Sequence, residues 1–243
     1  MGAFVLRAIA AEPGLELAAA VDAAGHPALG SEVAPGIALG SELMPDGCDV
    51  AIDFSVPAST RALVDAALPA GLPLVIGTTG LDAAQESAIE SAAGKLAIVR
   101  AGNYSLGITV LLDLVAEAAK RLPGYEIEVL EMHHNRKIDA PSGTALALAR
   151  SAADARGVDL DLKAVYHREG HTGPRPPGAI GMQSLRMADV VGEHTVYLAG
   201  PGERVELSHR ALSRENFAAG AARAAAWVVG RKAGLYSMRD VLA

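Results

Sequence analysis

The residues best equipped for chemistry lie between Glu131 and Ala145. They are the adjacent histidines His133 and His134, the basic pair Arg136-Lys137, Asp139, and the turn Pro141-Ser142-Gly143-Thr144. A histidine gives up a proton near neutral pH, and Lys137 supplies fixed positive charge. An apolar run from Ile127 to Leu130 precedes them and reads as a strand. An Ala/Leu-rich run from Ala145 to Ala155 follows and reads as a helix. A helix start leaves backbone N–H groups unpaired at the positive end of the helix dipole, where anions bind readily. Gly143 lets a ligand approach the backbone closely, and the hydroxyls of Ser142 and Thr144 either cap the helix or bind an oxyanion. Together these groups are suited to holding a carboxylate substrate and protonating it.

Blander readings compete with this one. Taken alone, Ser142 and Thr144 read as ordinary N-caps, and Asn135-Arg136-Lys137 as a solvated strand end. His133, His134 and Asp139 could form a metal-dependent hydrolase site, but no further Cys/His set stands at metal-site spacing, so no metal is expected. What favours the chemical reading is that all these features share one short stretch.

The stretch resembles the signature of the 4-hydroxy-tetrahydrodipicolinate reductase family, Glu-x-His-His-x-x-Lys-x-Asp-x-Pro-Ser-Gly-Thr-Ala, and every fixed position is met from Glu131 to Ala145. The resemblance implies an NAD(P)H-dependent oxidoreductase of diaminopimelate and lysine biosynthesis, reducing 4-hydroxy-tetrahydrodipicolinate to tetrahydrodipicolinate. It further implies His133 as proton donor and Lys137 as the second catalytic group. His134, Gly143 and Thr144 would bind a substrate carboxylate.

Composition is consistent with such an enzyme. A chain of 243 residues can bury a sizeable core in one or two domains. No apolar run approaches membrane-spanning length, and Arg7 and Glu12 interrupt the early apolar segment, so neither a membrane partner nor a signal peptide is expected. The single Cys48 rules out an internal disulfide framework and suits a reducing cytoplasm. A net charge of −7 argues against a nucleic-acid partner. An acidic chain that binds a dianion must concentrate positive charge locally, which adds weight to the His-His-Asn-Arg-Lys cluster.

The elements that would carry these groups follow an α/β rhythm. Gly2 to Ala11 reads as a helix with Phe4, Val5, Leu6 and Ile9 on one face, and Leu15 to Val21 as a buried strand ending in Asp22. In a dinucleotide-binding unit an acidic residue about 20 positions beyond the Gly-rich turn binds the ribose, and Asp22 suits that role relative to Gly2. Met1-Gly2 resembles the end of the family's Gly-x-x-Gly-Arg-Met-Gly turn. The chain is therefore expected to begin inside that motif, lacking its first strand and most of its phosphate loop. A non-catalytic, cofactor-deficient subunit that only assembles is then the runner-up reading. Ala23-Ala24 after Asp22 offers no Arg for a 2′-phosphate and leans to NADH over NADPH; the resemblance implies acceptance of either.

Ala23 to Gly47, rich in Gly, Pro and Ser, reads as irregular. Strands are expected over Asp49–Phe54, Leu74–Ile76 and Leu96–Arg100, with helices over Pro57–Ala70 and Asp82–Ala93. Short buried strands alternating with helices predict a Rossmann-like, doubly wound parallel sheet with ligands at the carboxyl ends of its strands. The segments leaving those ends resemble the family's cofactor-contacting loops, which implies cofactor-binding roles for Gly77, Thr78, Thr79, Ala101, Gly102, Asn103 and Tyr104, the last standing where Phe is commoner.

Ser105 to Leu122 reads as a long helix with Val110, Leu111, Leu114, Val115 and Ala118 on one face, and Asp113, Glu117 and Arg121 on the other. Strand-like runs at Ala164–His167, Ile180–Leu185, Glu193–Leu198 and Arg204–Leu207 predict a second α+β domain with a mixed sheet. His171, His194 and His209 lie in further family-like motifs, and each alone reads better as a structural histidine. Arg214 to Gly230 reads as a helix. By resemblance, residues 1–104 with 214–243 form the dinucleotide-binding domain, and residues 105–213 a substrate-binding domain whose sheet builds a homotetramer.

Overall fold

The computed structural model describes residues 1–42 and 45–243. It divides into two compact units, Met1–Leu106 with Glu215–Ala243, and Gly107–Arg214. The first unit opens with α1 (Gly2–Ala11), which buries Val5. Next, β1 (Ala20–Val21), β2 (Glu32–Ala34) and β3 (Ile37–Gly40) make a small sheet of their own in the order β1-β3-β2.

This corrects two expectations. Leu15 to Val21 is not a buried strand: Leu15 and Leu17 are only half-buried, and β3 pairs with Ala20 and Val21 alone. An extended segment needs a partner for its backbone groups to become a strand. Ala23 to Gly47 is not wholly irregular either, since β2 and β3 form a hairpin closed at Pro35-Gly36, with Gly36 at φ 75°. A Pro-Gly pair is suited to such a turn. Residues 43 and 44 of that stretch lie outside the described residues.

The rhythm then proceeds as β4 (Ala51–Asp53), α2 (Pro57–Ala70), β5 (Leu74–Ile76), α3 (Ala83–Ala93) and β6 (Ala97–Arg100). The strand β4 is shorter than Asp49–Phe54 because β5 bonds only its three central residues. Pro57 occupies the first turn of α2, where its missing N–H costs nothing, and Gly71 ends the helix in the left-handed region at φ 66°. Asp82 caps α3 through a capping box with Gln85.

In the second unit, α4 (Leu106–Arg121) begins at the boundary and runs to β7 (Glu126–His133). Then come α5 (Gly143–Ala155), a short α6 (Leu160–Lys163) absent from the sequence reading, β8 (Ala164–Val165), β9 (Ile180–Arg186), β10 (Gly192–Gly200) and β11 (Glu203–Ala211). The sheet order is β11-β10-β7-β9-β8. The strands β7, β9 and β8 run parallel, and β10 is antiparallel to both β7 and β11. It is a mixed sheet. Its inner face packs Ile127, Val129, Met182, Val196 and Leu198 against Leu111, Val115, Leu148 and Ala152 of α4 and α5. The apolar face of α4 differs from the expected one. Ile108, Leu111, Val115 and Ala119 are buried, whereas Val110 and Leu114 remain 50% exposed. The apolar arc of this helix is wider than the stripe the sheet covers, and periodicity does not say which half is used.

Glu215–Ala243 returns to the first unit as α7 (Glu215–Val228), β12 (Gly234–Tyr236) and α8 (Met238–Leu242). The strand β12 pairs parallel with β6, completing the parallel order β12-β6-β5-β4. Strand pleating sends Leu74, Ile76 and Ile98 to one side, with Leu63, Val64 and Ile89 of α2 and α3. Val75, Ala97 and Val99 go to the other side, with Ala221, Ala224, Ala225 and Val228 of α7. Burial on both faces explains why β5 and β6 read as unbroken apolar runs; β12, whose Leu235 is 47% exposed, did not read as a strand.

Candidate functional site

In β7 the pleat that buries Ile127 and Val129 also turns Glu131 and His133 to the inner face, so an apolar stripe ends in two titratable groups. The strand runs to His133, three residues beyond the expected end at Leu130. Glu131 is only 1% exposed. One carboxylate oxygen faces His133 Nδ1 at 2.6 Å. Arg186 of β9 donates to both oxygens at 2.9 and 3.0 Å, and the Ser142 backbone N–H donates at 3.2 Å. Burial pushes this carboxyl up, but hydrogen bonds from His133, Arg186 and Ser184 overrule it and hold the group down at about 2. Glu131 is therefore an anion at neutral pH.

The chain from His134 to Ser142 is pinned at several points. Met187 N–H donates to the His133 carbonyl, Asn135 N–H to the Ala188 carbonyl and Lys137 N–H to the His134 carbonyl. Lys137 Nζ donates to both oxygens of Asp139 at 2.9 and 2.8 Å. Arg186 also donates to the Asp139 carbonyl at 2.6 Å, tying this turn to the Glu131 carboxylate. Ser142 is buried and caps α5, its hydroxyl accepting from Ala145 N–H. Its Oγ also lies 3.0 Å from His194 Nε2, so the capping reading holds for this residue. Gly143 is exposed, and a Cβ there would meet nothing within 4 Å; Thr144 is half-buried beside it. The first turn of α5 thus presents open backbone.

His134 is held below its ordinary value, first by desolvation and then by the positive charge of Arg214, Arg136, His133 and Lys137. Its Nδ1 is shielded and has no hydrogen-bond partner. A ring nitrogen unpaired among cationic groups suits an anion, as does an open helix start. Arg214 was missed by sequence reading because it stands 80 positions from His134 (214 − 134). Of the three residues weighed as a metal set, His133 is hydrogen-bonded to Glu131 and Asp139 to Lys137. Among the described residues no three His, Cys, Asp or Glu side chains are grouped to hold a metal ion.

His194 behaves as a structural histidine. It is 4% exposed and meets His133 edge-on, with ring centroids 5.1 Å apart. Burial first, then the charge of His133, pull it down to about 3. The unfolded imidazole titrates near 6.5, so between these values the unfolded chain binds more protons, and stability falls as pH drops through that window. From pH 6.5 to 5, above the unfolded Glu131 value of 4.5, this residue should remove about 2 kcal/mol. Urea unfolding of His194→Gln should show a correspondingly smaller loss over that interval. Equal pH slopes in the two proteins would contradict it. His171 sits on an exposed loop, and His209 pairs across the sheet with His194.

In the first unit the loops at the carboxyl ends of β4 and β5 are organised by Asp53, which sequence reading passed over. Asp53 is buried and accepts from Thr60 Oγ1, from Thr78 Oγ1 at 3.0 Å and from Ser55 N–H at 3.0 Å. Thr78 is therefore buried, with its hydroxyl engaged. Gly77 is required sterically, since a Cβ would fall 2.5 Å from the Phe54 ring. Thr79 and Gly102 are exposed, Ala101 and Asn103 half-buried, and Asn103 Oδ1 accepts from Ser105 N–H at 2.8 Å. Tyr104 is a core residue. Its hydroxyl lies 3.0 Å from the Ile76 carbonyl and 2.9 Å from that of Val99, and its ring meets Phe54 edge-on. Only the backbone of Tyr104 remains for a ligand. Asp22 is exposed at the end of β1, on the small sheet, and its Oδ1 accepts from Ala23 N–H at 2.7 Å.

Comparison with known proteins assigns the family. Residues 1–104 match the model for "Dihydrodipicolinate reductase, N-terminus" and residues 107–242 that for the C-terminus. The 4-hydroxy-tetrahydrodipicolinate reductase of Halorhodospira halophila is 47% identical over 252 aligned positions, covering 100% of this chain and 94% of the relative. That of Thiobacillus denitrificans is 46% identical over 251, covering 100% and 94%. Among solved structures, the dipicolinate-bound dihydrodipicolinate reductase from Paenisporosarcina sp. TG-14 superposes with a TM-score of 0.76 at 23% identity, over 96% of this chain and 92% of that one, a likeness of fold. Both halves of the chain thus match one family of oxidoreductases, and the chain belongs to the dihydrodipicolinate reductase family.

Proposed function

We propose that this chain reduces 4-hydroxy-tetrahydrodipicolinate to tetrahydrodipicolinate with loss of water, taking the hydride from NADH or NADPH. The observation that carries the reading is the Glu131-braced His133 beside Lys137, His134 and the open start of α5. The bound nucleotide supplies a hydride, and a hydride brings negative charge that must be met by a proton. His133 is the proton donor. Lys137, whose Nζ donates to both oxygens of Asp139, is the second catalytic group and neutralises the electron-rich nitrogen. His134 and the backbone donors at Gly143 and Thr144 hold a substrate carboxylate. Donors fixed before charge develops are typically the largest catalytic contribution.

The strand-end loops suit a nucleotide, since Gly102 offers open space where a Cβ would meet no atom within 4 Å. In this reading Asp22 binds the ribose. Gly77, Thr79, Ala101, Gly102 and Asn103 contact the cofactor, and Thr78 and Tyr104 do so through their backbones. Residues 1–104 with 214–243 serve the nucleotide, and residues 105–213 the substrate. The outer face of the mixed sheet, with Leu130, Met132, Leu185 and Tyr197, builds a homotetramer. The protein works in the cytoplasm; no helix among the described residues is long and apolar enough to cross a membrane.

Titration of the purified protein against each nucleotide, followed by nicotinamide fluorescence, tests the cofactor assignment. A saturable signal that is tighter for NADH is expected from Asp22 and the absence of a neighbouring Arg. No saturable signal with either would overturn the reductase reading. A preference for NADPH would overturn only the ribose argument.

A further inference from the structure

We propose that Glu131 is a positioning residue of this site: its carboxylate holds the Nδ1–H of His133, so that the proton His133 delivers is the one on Nε2. The inference rests on the reading of His133 as proton donor. An ionised carboxylate only accepts hydrogen bonds, so across the 2.6 Å contact the hydrogen belongs to His133 Nδ1. Free imidazole is not held to that tautomer; here a neighbour two residues along the same strand face imposes it. Glu131 in turn cannot rotate away. Arg186 grips both of its oxygens and Ser142 N–H takes one, while burial denies it water. The opposite edge of the ring has been kept clear, since a Cβ on Gly192 would stand 3.0 Å from His133 Nε2.

Glu131 is the anion that faces His133 directly. From its own strand His133 faces Glu131, and from β9 Arg186, which already answers that carboxylate. From β10 comes the uncharged His194 ring, and from the following turn His134 and Lys137, the latter answered by Asp139. Removing the Glu131 charge would leave His133 among Arg186 and Lys137 with no anion against it. The imidazolium would be disfavoured and its proton lost at lower pH. A plain structural role would look different. If Glu131 only ties Arg186 and the Ser142 turn together, its loss would lower stability without touching the titration of His133.

The test compares wild type with Glu131→Gln, which keeps the size of the side chain and an accepting oxygen but not the charge. We expect kcat at neutral pH to fall by about tenfold to a hundredfold, part of the ~10²–10⁴ that a general acid supplies. KM should change little, and the alkaline limb of the kcat–pH profile should move to lower pH. An unmoved limb with kcat intact would overturn the proposal. Should the variant fail to fold, histidine 15N NMR on the unsubstituted protein decides, with the His133 signal identified by its loss in His133→Ala. The neutral ring is expected as the Nδ1–H tautomer, and an Nε2–H tautomer would overturn the proposal. Wild type that fails to oxidise the nucleotide with substrate present would instead count against the reductase reading, and the tautomer measurement would still judge Glu131.

Discussion

Replacing His133 by alanine is expected to lower kcat by about a thousandfold, within the ~10²–10⁴ that a positioned general acid contributes, while KM changes several-fold at most. Binding of the substrate carboxylate is assigned to His134, Gly143 and Thr144, none of which the substitution alters. The variant should also fold. Glu131 loses one partner but keeps Arg186 and Ser142 N–H, so its buried charge is still answered and the turn to α5 is still pinned. Steady-state kinetics checks this directly. An interaction made only in the transition state shows as equal losses in kcat and kcat/KM. An unchanged kcat would remove His133 from the acid role.

The second large effect concerns stability. Gly220 lies inside α7, where replacing glycine by alanine ordinarily stabilises a helix by about 1 kcal/mol. Here the sign should reverse. A Cβ on Gly220 would fall 1.8 Å from the Tyr104 carbonyl oxygen and 2.9 Å from its carbonyl carbon. That neighbour is backbone, at the point where the strand-end loop carrying Asn103 turns into α4, and Tyr104 is fixed by its hydroxyl and by Phe54. The helix or the loop must give way. Gly220→Ala should destabilise the first unit by about 3 kcal/mol, at the upper end of overpacking costs, lowering its melting temperature by roughly 6–12 °C. A melting temperature equal to or above that of wild type would show that α7 moves aside freely.

The parallel strands β5 and β6 were legible because burial on both faces makes them continuous apolar runs, bounded by punctuation such as Pro57 and Asp82, whereas β12, with Leu235 47% exposed, carried no such signal. The signature likewise placed His133, Lys137 and the start of α5 on one turn, since local spacing is what a sequence shows directly. Features that depend on distant partners were hidden. Arg186 is 55 residues from Glu131, so the fixed glutamate of the signature carried no visible role. Asp53 read as one residue of the strand Asp49–Phe54, although Thr78 meets it from 25 residues away. Tyr104 was read as a cofactor contact, but its ring is in the core beneath the loop, held from Ile76 and Val99. Leu15 to Val21 has the composition of a strand, yet β3 lies alongside only its last two residues.

The central claim is that this chain moves a hydride to a cyclic dicarboxylate while His133 supplies the proton. It is tested most directly by incubating the protein with 4-hydroxy-tetrahydrodipicolinate and NADH deuterated at the transferable C4 position, then weighing the product. The account predicts one deuterium in each product molecule, formed in step with oxidised nucleotide and slowed in His133→Ala. Product without deuterium, or no oxidation of nucleotide at all, would contradict it.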